Sequence, residues 1–445
     1  MEKKGNSALI GEKKGAIEKI AKDKAVIGID LTEDFAQVCY WTPEQDEPVM
    51  MSAVSGEEKL CIPTALAKKY GEHIWTFGEE AFRTERENEG FLFTSLIEKA
   101  KEGALIEVET RDYDPVDLLA LFIKKCLSML ALAAPMEKVA AIVITVEDPD
   151  TRMIQVLNQV VSILRIKPEK VFFQSHSESA YHYILQQSRD LWTRDVLILE
   201  IQGAQLKLLR FKRNPHTSPM VVLVDEKSYD GFGSGDYPEG SAAQELEYKK
   251  KDQTLLKHLV EQCNENYVSA VYLLGEGFSE DWCKESLKYM CTNRRVFQGN
   301  NLFSKGACYG AREKLIVSEV EEKHVFLGKD KLKSNLGMRV VREGEDSYMA
   351  LLDAGKNWYE VSKECDLILD SEDTIQMQVT PVDGKKVREL QFYLEGCPIR
   401  PPRATRIHME VRMLSENRLY VKVTDLGFGE FFPASGMEWV SEIDL

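Results

Sequence analysis

The sequence is short of the residues that build metal centres and disulfide frameworks. Nine cysteines, an odd number, are scattered through 445 residues with no C-x-x-C pair, the closest spacing being Cys283 to Cys291. That excludes a disulfide scaffold and a zinc knuckle, and it suits reduced thiols. The seven histidines are equally dispersed, His176 and His182 being the nearest pair, and no H-E-x-x-H spacing occurs. No metal site is therefore assigned. Apolar runs stop well below the roughly 20 residues of a membrane span. The N-terminus lacks the apolar core of a signal peptide, so the expected compartment is the cytoplasm. Basic residues are outnumbered: the net charge of −16 sets nucleic acid aside as a partner, because phosphate backbones need clustered Lys and Arg.

What remains is an ordinary globular composition, 44% hydrophobic and 29% charged, long enough for two or three domains. Residues 1–24 carry seven lysines against four acids, with Leu9, Ile10, Ala16, Ile17, Ile20 and Ala21 between them. They read as a flexible, solvated tail; a weak amphipathic helix touching an anionic membrane is the alternative.

Residues 26–41, VIGIDLTEDFAQVCYW, read as strand, turn and returning strand, with Asp30 where the first strand ends and Glu33 and Asp34 in the turn. FLFTSLIEKAKEG and PVDLLALFIKKCLSMLALAA read as helices, the second opened by Asp114 and Pro115. VAAIVITV, without polar alternation, reads as a fully buried strand. A helix over 151–166, the strand VFFQ and a helix reaching Gln187 follow. The pattern restarts at 196–211 with VLILEIQGAQLKLLRF, whose turn is Gln202-Gly203-Ala204-Gln205. Beyond it come a Gly- and acid-rich loop, a helix over 252–265, the strand AVYLLGEGF and a helix from near Glu280. After about residue 315, alternating segments such as TIQMQV and RLYVKVTDL predict an all-β sandwich over 330–445, with the acidic stretch SEVEEKH inside a linker at 316–329.

Two strand-turn-strand units about 170 residues apart, each followed by helices, resemble the duplicated lobes of the actin-like ATPase fold, here 25–190 and 191–315. Within that class the chain resembles a divergent, lidless relative of the seventy-kilodalton heat-shock chaperones, and also an uncharacterised bacterial family. The resemblance rests on Gly28-Ile29-Asp30, on Cys61-Ile62-Pro63-Thr64 in place of a later T-P-S segment, on LLGEGF with Gly275 and Gly277, and on the C-terminal run from LGM to RLYVKVTDLGFGE. It implies an α/β two-lobed fold followed by a β-sandwich, and a nucleotide cleft at Asp30, Thr32, Glu200, Gly203, Gly275 and Gly277. It also implies a peptide pocket at Met338, Val341, Ile368, Ile375 and Met377, and a polypeptide segment or dedicated protein as partner. ATP or ADP with Mg is the cofactor such a cleft would hold; none is assigned.

The catalytic positions depart from the resembled pattern. Thr32-Glu33-Asp34 stands where Gly-Thr-Thr is expected, and the second phosphate loop keeps Gly203 alone. Thr94 falls near the place of the catalytic lysine and His176 near that of the catalytic glutamate, with Glu178 as a nearby substitute. The expectation is a chaperone-like or scaffold protein with a degenerate, non-hydrolysing cleft. An active ATPase with atypical phosphate loops and an actin-like assembly scaffold are the alternatives.

Overall fold

The computed structural model describes residues 24–53, 58–108, 111–233, 235, 237–263, 267–370, 373–382 and 386–445. The Lys-rich segment up to residue 23 lies outside them. The chain divides into two compact units, Met1–Val325 and Phe326–Leu445.

In the first unit β1 (Ala25–Leu31) is buried at every position, as β-branched and apolar residues covered on both faces of a sheet must be. It turns at Thr32-Glu33-Asp34 into antiparallel β2 (Phe35–Trp41). After helix α1 (Pro115–Ser128), whose Asp114 cap accepts from the Val116 N–H, the chain enters β3 (Val139–Val146), parallel to β1. Helix α2 (Thr151–Leu164), capped by Asp150, leads to β4 (Val171–Ser175), parallel to β3, and then to α3 (His176–Leu185). The sheet order is β4-β3-β1-β2.

The same order and strand senses recur in a second sheet. β5 (Asp195–Gln202) and β6 (Gln205–Asn214) form its hairpin, extended by antiparallel β7 (Met220–Asp230). After helix α4 (Ala242–Cys263), β8 (Val268–Leu274) adds parallel to β5. Helix α5 (Lys284–Met290) then precedes β9 (Arg295–Gln298), parallel to β8. The core of this half gathers Leu197, Leu199, Leu206, Leu255, Leu259 and Val271.

Helix α6 (Leu302–Glu313) follows the second sheet but packs on the first, where Ala307, Cys308 and Ala311 cluster with Val26, Cys39 and Val143. This close seat needs glycine. A Cβ on Gly28 would lie 2.4 Å from the Cys308 nitrogen, and one on Gly306 1.9 Å from the Ser179 carbonyl oxygen.

In the second unit two four-stranded antiparallel sheets form. One orders as β11 (Glu345–Leu352), β10 (Ser334–Arg342), β13 (Thr374–Pro381) and β14 (Arg388–Tyr393). The other orders as β12 (Ser362–Leu369), β15 (Thr405–Ser415), β16 (Arg418–Gly427) and β17 (Glu438–Asp444). Each buries alternate residues, Ile375, Met377 and Val379 in one and Ile407, Met409 and Val411 in the other, as antiparallel sheets with one covered face do.

Several local expectations change. FLF is a strand, Gly90–Phe93, paired with Leu66–Lys69; Phe93 packs against Trp75, Tyr113 and Phe91, and the helix begins only at Leu96. Strand β7 occupies a stretch to which no element was assigned. Helix α4 starts ten residues before the expected 252, its N-terminus capped by the Ser241 hydroxyl, which accepts from the Gln244 N–H at 3.2 Å. The acidic linker is partly helix: Glu319–Glu322 is capped by Ser318 and packs within the first unit.

Gly306→Ala should destabilise the protein by about 1–3 kcal/mol or more, since a backbone carbonyl cannot yield as a side chain can. Urea titration followed by circular dichroism measures it, and an unchanged midpoint would mean that the α3–α6 crossing is looser than described.

Candidate functional site

The C-terminal ends of β1 and β5 carry equivalent carboxylates. Asp30, paired across the sheet with Thr145 and Gln37, is buried; Glu200, paired with Leu274 and Lys207, is half-buried. Asp30 does not face open space. Its Oδ1 lies 2.8 Å from Nε2 of His176, the first residue of α3, and the imidazole stacks on Phe303 of α6 with centroids 4.1 Å apart. Burial would push the His176 pKa down, but the Asp30 carboxylate overcomes it and the net direction is up. His176 Nδ1 is buried without a hydrogen bond among the described residues. Burial raises the Glu200 pKa against the pull of His176 and Lys207.

The three turn residues are engaged with the protein itself. The Thr32 hydroxyl donates to the Phe35 carbonyl at 2.7 Å, and the Thr64 hydroxyl donates to the Thr32 carbonyl at 2.9 Å. Glu33 Oε2 accepts from the Glu98 N–H at 3.1 Å in the short helix Leu96–Glu102, and burial raises its pKa. Asp34 Oδ2 accepts from Gln202 Nε2 at 3.2 Å, joining the first hairpin turn to the second. Each acid of the first turn holds an internal donor, and Glu33 Oε1 is buried without one among the described residues.

The glycines act locally. Gly203 supplies the left-handed conformation of the second turn, at φ +57°. Gly275 and Gly277 allow the end of β8 to lie on Ile201: a Cβ at Gly275 would sit 2.1 Å from the Ile201 oxygen, and one at Gly277 2.1 Å from Ile201 Cγ2. Their close approach is to β5, where the resemblance implied a nucleotide. Thr94 offers its carbonyl to Lys99 Nζ at 2.8 Å, and Glu178 Oε1 lies 3.8 Å from His182 Nε2. Sequence reasoning missed Lys207, which reaches Glu147 at 3.1 Å and acts electrostatically on both His176 and Glu200. Its strand position directly opposite Glu200 was the available signal.

The five residues expected to form a peptide pocket do not converge. Met338, Ile375 and Met377 are core, Met377 with no exposure, because they fall on the inward phase of β10 and β13. Val341 and Ile368 are 62% and 55% exposed, on the outward phase of β10 and of the edge strand β12.

A second charged cluster lies on α3. His182 Nδ1 is 2.6 Å from Glu321 Oε1, and the Tyr181 hydroxyl donates to Glu321 Oε2 at 2.9 Å. Burial opposes the imidazolium, yet Glu321 and Glu178 hold the His182 pKa up to about 9, while Glu321 is pulled down by the same contact. A raised folded-state pKa stabilises fully below the ordinary histidine value of about 6.5 and is lost as pH rises through about 9. The melting temperature should therefore fall from pH 7 to 9.5. Glu321→Gln should lower it at pH 7, by the equivalent of about 1.5–3 kcal/mol, and flatten that fall. Parallel melting curves of the wild type and variant that keep the same slope would refute the pairing.

Two family models match the chain. One, a domain of unknown function (DUF8552), covers residues 331–445. The other, described as the C-terminal part of a family of unknown function (DUF5716), covers residues 47–329. A search of curated proteins finds no match. Since the second model spans more than half of the sequence, the chain belongs to the family of unknown function DUF5716.

Proposed function

We propose that the first unit is an actin-like two-lobed frame whose nucleotide cleft has become a structural joint, and that the second unit binds an extended polypeptide or a dedicated protein partner. The protein on this reading is a cytoplasmic, chaperone-like or scaffold protein related to the seventy-kilodalton heat-shock chaperones. The repeated order β4-β3-β1-β2 and β9-β8-β5-β6 supports the frame. The Asp30–His176 pair carries the rest: a carboxylate needed to order a metal-bound water is here held by an imidazole at 2.8 Å. A phosphate 4 Å from Glu33 or Asp34 would meet a repulsion of about 4 kcal/mol at an effective dielectric near 20. Phosphoryl transfer depends on positioning and charge stabilisation, and the turn supplies the wrong sign for both. Among the described residues no helix is long and apolar enough to cross a membrane.

MgATP hydrolysis by the purified protein should equal the buffer rate; turnover abolished by Asp30→Ala would reverse that conclusion. Replacing Thr32-Glu33-Asp34 with Gly-Thr-Thr, together with His176→Glu, should raise nucleotide affinity at least tenfold if the frame is otherwise intact. No gain would mean that the cleft is lost more widely.

In the second unit, an extended peptide would add to an edge strand and use outward apolar side chains for specificity. Ile368→Asp, on the edge strand β12, should leave the fold intact and weaken binding of a labelled apolar heptapeptide, read by fluorescence anisotropy on the full chain, more than Val341→Asp on the inner strand β10 does. Met377→Asp should instead unfold the unit, because a buried unpaired carboxylate is costly. Equal peptide affinity in both surface variants and the wild type would remove the edge from consideration.

A further inference from the structure

A knot of arginines lies at the opposite end of β5 from Glu200. The antiparallel register of β5 and β6 pairs Val196 with Phe211, and carried two residues further it sets Arg194 opposite Arg213. Like charges directly opposite one another across a sheet destabilise it. Arg189 joins them from the 3₁₀ turn Arg189–Trp192 that precedes β5, and it stands close enough to Arg213 to act on it electrostatically. The five residues from Asp195 to Glu200 put about 17 Å of strand between this end and the carboxylates of the two hairpin turns.

Aromatic rings hold two of the guanidinium groups in place. Arg213 Cζ lies 5.3 Å from the centroid of the Trp192 ring and its Nη2 donates to the Thr193 carbonyl, while Arg194 Cζ lies 4.3 Å from the centroid of the Tyr267 ring. Trp192 is itself pinned, its indole N–H donating to the Gln187 carbonyl at 3.0 Å. Arg194 and Arg213 border one hollow of about 20 Å³, floored by Val196, Phe211 and Val222. The hollow has room for a single water, so a larger anion would rest across its mouth.

Among the described residues no carboxylate pairs with any of the three arginines. Asp195 is bound to Arg210 at 2.6 Å, Asp190 stands 3.9 Å from Arg295, and Glu321 is held by His182 and Tyr181. Arg213 Nε is buried without a hydrogen bond. Burial and then the Arg189 charge lower the Arg213 pKa, with Asp195 opposing them. In a chain of net charge −16 this is a local excess of positive charge without an internal counterion. Guanidinium forks match the oxygens of phosphate in pairs, and a dianion relieves the mutual repulsion of three arginines more than a single carboxylate does.

We infer that Arg189, Arg194 and Arg213 form a binding site for one phosphoryl dianion, taken as inorganic phosphate or as a phosphomonoester. MgATP fits this site poorly, because the metal already shares its β- and γ-oxygens. The site therefore stands apart from the question of whether the cleft between the hairpin turns takes nucleotide.

Isothermal titration of the full-length protein with inorganic phosphate and with O-phosphoserine tests this, at about pH 8, where both are dianions. At least one of them should bind saturably, one per chain, and more weakly as sodium chloride is added. Arg189→Gln combined with Arg194→Gln, both at exposed positions, should leave the circular dichroism spectrum unchanged and weaken binding at least tenfold. Arg194→Lys keeps the charge without the fork and should retain part of the affinity. Tighter binding of O-phosphoserine would assign an esterified ligand, and tighter binding of inorganic phosphate the free ion. No saturable heat from either at millimolar concentration, equal affinity in the double variant, or acetate binding as tightly as phosphate would overturn the inference.

Discussion

The close seat of helix α6 on the first sheet is the contact on which the rest of the first unit depends. It exists because Gly28 and Gly306 present no Cβ to Cys308 and Ser179. Buried alanines and thiols fill the interface, and the Cys39 thiol donates to the Ser304 carbonyl at 2.9 Å. The seat brings Phe303 against His176, and His176 in turn satisfies Asp30. A helix that follows the second sheet thereby positions the hydrogen-bond partner of a carboxylate in the first. Interiors packed at crystal-like density transmit such placement over several residues without slack.

Charge in the neighbourhood follows the same internal logic. Asp30, Glu33 and Asp34 each accept from a donor of the protein, and Glu200 is pushed towards its neutral form by burial. Lys207 is the nearby cation, and it is shared with Glu147. A phosphate cradle needs backbone N–H groups and cations pointing into free space. Here the corresponding groups are turned on one another, and the two hairpin turns meet through Asp34 and Gln202. Under the proposed reading, a ligand-bridged joint has been replaced by a side-chain-bridged one.

Much of the architecture was legible because it is written locally. The apolar run of β3, the Asp114-Pro115 opening of α1 and the two hairpins each carry their signal within a few residues. Strand 90–93 and β7 were hidden for different reasons: the first is a glycine, two phenylalanines and a leucine, too short to show a period, and the second runs from MVVLV into the polar DEKSYD without a sustained alternation. The site was half legible. Asp30 and Glu200 stand out as carboxylates closing apolar strands, but their partners His176, Lys207 and Gln202 come from other elements, and only the fold brings them together. The inward or outward phase of Met338, Val341, Ile368 and Met377 likewise depends on strand register, which a one-residue slip reverses.

The central claim is that this cleft is held shut by its own side chains and takes no nucleotide. Isothermal titration of the intact protein with MgATP, paired with melting curves over the same concentrations, tests it most directly. A ligand selective for the folded state raises apparent stability by about 2.7 kcal/mol at a hundredfold excess over its Kd. The account predicts no saturable heat and no shift in melting temperature at millimolar nucleotide. A saturating isotherm accompanied by a rise in melting temperature, both lost in Asp30→Ala, would contradict it.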